Sequence, residues 1–196
     1  MIEMIKMILV LTILSSFSGG ILAAIKNETQ DKIENQQLKF VKGPAIKSIL
    51  EGASNDPIMD RFKITDGEVE RSFFVGKFEQ KSDAVALESY GKGYGGDVGV
   101  MVGIDTSKDS IIGVGVTTHA ETPGMGARAK EDPNFTAQYL NLSIKKKIKV
   151  TQDGGQINAI SGATITSRAV SNAATDACET YKRLKPQIIE KLKTIK

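Results

Sequence analysis

The chain reads as an α+β protein: an antiparallel sheet with packed helices, plus one N-terminal transmembrane helix. Three observations predict this. Met7 to Ile25 is an unbroken run of nineteen uncharged residues. Branched residues alternate with glycines and Met101 over 98–104 and again over 112–118, the period-two signature of strands. Beyond the motif at 161–167 the apolar spacing becomes that of a helix.

The first run, MILVLTILSSFSGGILAAI, approaches the ~30 Å of a bilayer core at ~1.5 Å per residue. Glu3 and Lys6 before it and Lys26 after it suit an interface. A membrane anchor over 1–26 is the preferred reading. A cleaved signal peptide, suggested by Ala23-Ala24, and a buried core helix are the alternatives. Lysines on both sides leave the orientation unread. Asn27 to Leu38 is polar and Gln-rich and reads as a helical or flexible stalk over 27–39. One compact domain is expected over 40–196.

Within that domain Arg71 to Phe78 and Ala84 to Tyr90 are rich in strand formers. Val98, Val100, Val102 and Ile104 then share one sheet face, as do Ile112, Val114, Val116 and Thr118, and residues 105–110 join them as an antiparallel hairpin. A second pair is expected from Ile148 and Val150, through Asp153-Gly154-Gly155, to Ile157–Ile160. Val170, Ala173, Ala174, Ala177, Tyr181 and Leu184 form the stripe of a helix that Pro186 ends or kinks.

Composition narrows the function classes. A chain of 196 residues, 40% hydrophobic and 25% charged, supports one domain with a core. A net charge of +3 without an arginine-rich face argues against nucleic-acid binding. The lone Cys178 excludes an internal disulfide and a cysteine-held metal cluster, and the lone His119 excludes a multi-histidine site, so no metal is expected. Cys178 reads as a small buried hydrophobe. Lys145-Lys146-Lys147 with Lys149 reads as exposed strand charge, with a membrane-surface (lipid) or partner contact as the alternative. Gly91 to Gly96 satisfies a dinucleotide glycine pattern, but a strand follows where that motif needs a helix.

Ser161-Gly162-Ala163-Thr164-Ile165-Thr166-Ser167 precedes the long helix. Helix-start amides lack intrahelical partners and the dipole there is positive, so a phosphate could sit among the hydroxyls. On these residues alone a plain helix cap is the stronger reading. The string nevertheless resembles the flavinylation motif, Ser/Thr-Gly-Ala-Thr-any-Thr, of the flavin-binding subunits of the Rnf and Nqr membrane redox complexes (the RnfG/NqrC family). Gly93-Tyr94-Gly95-Gly96 with Val98 and Met101–Asp105 resembles that family's central strand region. His119-Ala120-Glu121-Thr122-Pro123-Gly124-Met125-Gly126 resembles its His-any-Glu-Thr-Pro-Gly-Leu-Gly loop, with Met125 for Leu, and Phe135 and Gln138 fit the following helix. The likeness spans essentially the whole chain, and its length is nearer RnfG than NqrC. One departure is Asn158, where the family usually has Asp.

The resemblance implies FMN held by a phosphoester on Thr166, with Ser161, Gly162, Ala163, Thr164 and Ile165 around it. It implies flavin contacts from Glu121, Thr122, Gly124 and Met125, and no catalytic acid or base. It further implies an electron-carrier subunit of a ferredoxin:NAD oxidoreductase coupled to Na+ or H+ translocation. Such a subunit has no turnover of its own, joins other Rnf membrane subunits, and is matured by a flavin transferase. The FMN domain would lie on the extracytoplasmic side of a single-pass anchor. The alternatives are NqrC, from a Na+-translocating NADH:quinone reductase, and a stand-alone extracytoplasmic flavin reductase.

Overall fold

A computed structural model describes residues 2–78 and 83–194. The chain divides into two compact units, Met1–Lys39 and Phe40–Lys196. The first is built on one helix, α1 (Ile2–Gln37). Its part Ile2–Gln30 has a mean hydropathy of 2.2 and is long and apolar enough to cross a membrane. Leu14, Phe17 and their neighbours are exposed around it, as a lipid-facing helix requires. Thr12 donates to the Ile8 carbonyl at 2.8 Å, so its hydroxyl is satisfied within the helix. The polar segment after Lys26 continues the same helix through Gln37, and a π-helical segment, Leu38–Lys42, follows.

In the second unit, α2 (Gly43–Ile49) precedes five strands: β1 (Arg61–Asp66), β2 (Val69–Gly76), β3 (Ala84–Lys92), β4 (Asp97–Asp105) and β5 (Ser110–Val116). They form one sheet in chain order, every pair antiparallel. Two short helices, α3 (Arg128–Glu131) and α4 (Pro133–Ala137), and the long α5 (Thr164–Thr194) complete it. The β4–β5 turn forms as expected, because the Asp105 carboxylate accepts from the Ser107 and Lys108 amides and the Ser107 hydroxyl.

The core lies between the sheet and α5. Val98, Val100, Val102 and Ile104 join one buried cluster with Ala169, Val170, Ala173, Ala174, Ala177, Tyr181 and Leu184. The glycine face of β4 and β5 is covered too. A Cβ on Gly103 would lie 2.3 Å from Ile49, and one on Gly115 would lie 3.2 Å from Ala45. These glycines therefore let α2 lie directly on the sheet.

Several sequence expectations need correction. β1 has no counterpart among them, since RFKITD is short, charged and half-exposed; it is an edge strand paired by Lys63–Glu70 and Arg71–Asp66. The face assigned to β5 fails at its start. A bulge between Gly103 and Ile104 turns Ile111, fully buried, into the core and leaves Ile112 half-buried. Ile148–Ile160 is not a strand pair. It holds one parallel bridge, Val150 to Ile157, around a 3₁₀ turn at Thr151–Asp153. Pro186 does not end its helix: α5 runs on to Thr194. Pro186 and Lys182, the residue whose carbonyl it cannot serve, are both exposed, while Leu184 and Ile188 keep the buried stripe unbroken.

Candidate functional site

The N-terminal turn of α5 is held from several directions. Gly162 turns the chain with φ +80°, a conformation suited to glycine. The Ala163 amide donates to Ile160, and the Ile160 amide donates to the Ser167 hydroxyl at 3.0 Å. Arg168 grips Asp153 through two nitrogens at 2.7 and 2.8 Å. Gly91 on β3 lies so close to Ala169 that a Cβ there would meet the Ala169 carbonyl oxygen at 2.0 Å. Helical bonding begins with the Ser167 amide donating to Ala163. The amides of Thr164, Ile165 and Thr166 thus have no partner within the helix and face its positive end.

Facing this turn is the loop after β5. The Gly99 and Thr117 amides extend the β4–β5 pairing to Thr118, which delivers His119 and Glu121 beside the β3–β4 turn. His119 is half-buried, and its Nδ1 accepts from the Glu121 amide at 3.3 Å. The chain then turns at Thr122–Met125, with Gly124 at φ +73°.

The two segments meet at Thr166 and Glu121. Both are buried, at 2% and 5% exposure, and the Thr166 hydroxyl donates to Glu121 Oε2. The other carboxylate oxygen accepts from the Gly95 amide at 2.7 Å. Burial pushes the Glu121 carboxyl up, but the hydrogen bonds from the Thr166 hydroxyl and the Gly95 and Tyr94 amides outweigh it. The net result lies below the ordinary carboxylate value.

A cavity of 340 Å³ opens beside this pair, lined by both residues and by Thr122, Met125, Gly126, Gly162, Ala163, Ile165 and Tyr94. Tyr94, Met125 and Ile165 are 78%, 49% and 47% exposed, an apolar rim suited to a flat aromatic ligand. Of the residues singled out in the sequence, Ser161, Thr164 and Gly124 are not among those lining the cavity. Tyr94 and Gly126 do line it, and sequence reasoning does not assign them to it; Tyr94 lies inside the glycine-rich string, where an aromatic beside glycines is the available signal. The Gly91–Gly96 string is itself the end of β3 and a tight turn into β4.

Cys178 is buried, and burial pushes its thiol up to about 12. Lys145, Lys146, Lys147 and Lys149 lie outside the five-stranded sheet, and all four are exposed. No group of three or more metal-ligating side chains occurs among the described residues.

The site has the parts an FMN needs: helix-start amides for a phosphate, a hydroxyl in the wall, a glycine where the backbone must be approached, and an apolar rim for the ring. Residues 93–179 match the family model of the FMN-binding domain. The chain is 31% identical over 180 residues to the G subunit of the ion-translocating oxidoreductase complex of Methanosarcina acetivorans, covering 90% of this chain and 94% of that one. It is 29% identical to the G subunit of the proton-translocating ferredoxin:NAD(+) oxidoreductase complex of Clostridium ljungdahlii, covering 86% of each. In fold it is similar to the crystal structure of the C subunit of the Na(+)-translocating NADH-quinone reductase from Parabacteroides distasonis. That match has a TM-score of 0.56 and 20% identity, over 83% of this chain and 96% of that one.

Proposed function

The chain belongs to the G-subunit family of ion-translocating oxidoreductase complexes, and from that premise we propose that it is the FMN-bearing electron carrier of an Rnf-type membrane ferredoxin:NAD oxidoreductase. It binds FMN through the domain at 93–179 and associates with the membrane through α1. The flavin is joined to Thr166 by a phosphoester. One observation carries this reading: the Thr166 hydroxyl is built into the wall of the cavity, on the first turn of a helix whose free amides suit a phosphate.

Bound there, FMN supplies a centre that takes and gives electrons singly or in pairs. The protein holds that centre in place. The helix start would offset phosphate charge, and Tyr94, Met125 and Ile165 at the cavity rim would hold the apolar ring system. Glu121 and Thr122 offer polar contacts at the cavity wall. The chain works as a subunit without independent turnover, relaying electrons among the other subunits of a complex that moves Na+ or H+. A separate flavin transferase installs the cofactor. The FMN domain lies on the extracytoplasmic side, where a covalent bond prevents loss of a scarce cofactor.

Intact-mass spectrometry of the denatured chain tests the attachment. Wild type is expected to gain one FMN less water, localised to the Thr166 peptide, and Thr166→Ala to gain nothing. A Thr166→Ala protein that keeps the added mass overturns the assignment. Protease accessibility in spheroplasts reports the side of the membrane.

A further inference from the structure

We propose that Glu121 is the general base for flavin attachment, the group that takes the proton from the Thr166 hydroxyl as the phosphoester forms. The proposal rests on Thr166 being the attachment residue and assigns to this chain, rather than to the transferase, the proton acceptor of its own modification.

Glu121 and Thr166 stand 45 positions apart in the chain and are brought together in a buried pair at the cavity wall. Among the described residues, Glu121 is the acceptor of the Thr166 hydroxyl. The approach is built by missing side chains. A Cβ on Gly126 would lie 2.7 Å from Glu121 Oε2 and 2.8 Å from Thr166 Oγ1, and a Cβ on Gly93 would lie 2.6 Å from Glu121 Oε1. The Gly95 amide fixes the far oxygen at 2.7 Å, which leaves the near oxygen aimed at the hydroxyl.

A threonine hydroxyl is a weak nucleophile until its proton has somewhere to go. In phosphoryl transfer a positioned carboxylate is a sufficient acceptor, because the proton leaves as the new bond forms. The groups facing Glu121 are the Thr166 hydroxyl from α5, the Tyr94 and Gly95 amides from the β3–β4 turn, and His119 from its own loop. Together they keep the carboxyl ionised at neutral pH, the form a base must have.

The step balances. Thr166 Oγ1 bonds to the phosphorus of the FMN half of flavin adenine dinucleotide, the donor presented by the transferase. The pyrophosphate P–O bond breaks and adenosine monophosphate leaves. The hydroxyl proton passes to Glu121 Oε2. Nothing is oxidised or reduced.

The test uses the full chain, unmodified and in detergent, incubated with a flavin transferase and flavin adenine dinucleotide. Initial rates of FMN mass gain are measured across pH. Glu121→Gln, which keeps the shape and an oxygen acceptor, is expected to slow attachment at least ~100-fold at neutral pH while its melting temperature stays near wild type. Its residual rate is expected to climb with hydroxide, whereas the wild-type rate is flat above the carboxylate range. A Glu121→Gln rate within threefold of wild type, or a pH profile of wild-type form, overturns the proposal. If Glu121→Gln loses its melting transition, Glu121→Asp replaces it: withdrawing the carboxylate by one methylene is expected to cut the rate at least tenfold, and a rate within threefold of wild type overturns the proposal. Thr166→Ala separates the two claims. FMN gain in that variant sinks the attachment reading, while no gain there beside normal gain in Glu121→Gln sinks the base alone.

Discussion

Replacing Gly91 with alanine puts a methyl group against peptide backbone. The added carbon would lie 2.0 Å from the Ala169 carbonyl oxygen, 2.7 Å from its carbon and 3.0 Å from its Cα. Ordinary contact begins at 3.4 Å, so helix and strand must part by about 1.4 Å, since no flexible side chain can yield instead. Overpacking of this kind costs roughly 1–3 kcal/mol, and the backbone obstacle points to the upper half of that range. For a domain of this size ~1 kcal/mol moves the midpoint by ~2–4 °C, so the melting temperature is expected to fall by ~5–10 °C. Circular dichroism melts of the full chain in detergent read this. Gly113→Ala is the control, because its new carbon meets Ile49 at 3.3 Å, where a small adjustment suffices. Ala169 lies three residues after Thr166, so FMN attachment should drop along with stability. A Gly91→Ala melting temperature within a degree of wild type would refute the claim that backbone contact sets the helix position.

Tyr139→Phe strands the buried Ser171 hydroxyl, now 2.9 Å from the Tyr139 oxygen; a loss of about 1–2 kcal/mol is expected in denaturant titrations, with Ser171→Ala in the same chain recovering part of it. Cys178 should resist thiol reagents at neutral pH in the native chain and react once the chain is denatured, because burial both covers the thiol and pushes it up to about 12. Acid should destabilise the domain. The two-nitrogen contact with Arg183, aided by Arg71, holds Asp66 low, and at Asp105 burial is outweighed by Ser107 and the Lys108 amide. Both bind protons more readily when unfolded, so the stability they lend is whole above the ordinary carboxylate range and fades as pH falls through their lowered values. Melting temperatures that stay level between pH 6 and pH 3 would contradict this.

Much of the fold is legible in the sequence because local pattern and tertiary context agree. The alternation of Val98 to Ile104 and the stripe from Val170 to Leu184 face each other across the core. What stays hidden depends on partners distant in sequence. Period two in one strand does not reveal that Ile49 covers Gly103, nor that an irregular register in the β4–β5 pair exchanges Ile112 for Ile111. In RFKITD only Phe62 and Ile64 alternate between polar neighbours, too short a pattern to mark this edge strand, although both pack on the core. At the site, both motifs can be read separately, and their junction cannot. The contact between Glu121 and Thr166 exists only once the β5 loop and the start of α5 are folded against each other, and Tyr94 joins them from a third segment.

Gln138 spans the backbone of Asn158 with its carboxamide, accepting from the amide at 2.7 Å and donating to the carbonyl at 3.2 Å. The Asn158 side chain takes no part in that grip and stands exposed. The path of the chain into the 161–167 turn is therefore indifferent to which residue occupies position 158. The charge displayed at this exposed position can differ while the backbone beneath stays as it is. Exchanging Asn158 for Asp would change the surface charge and leave both backbone contacts with Gln138 in place.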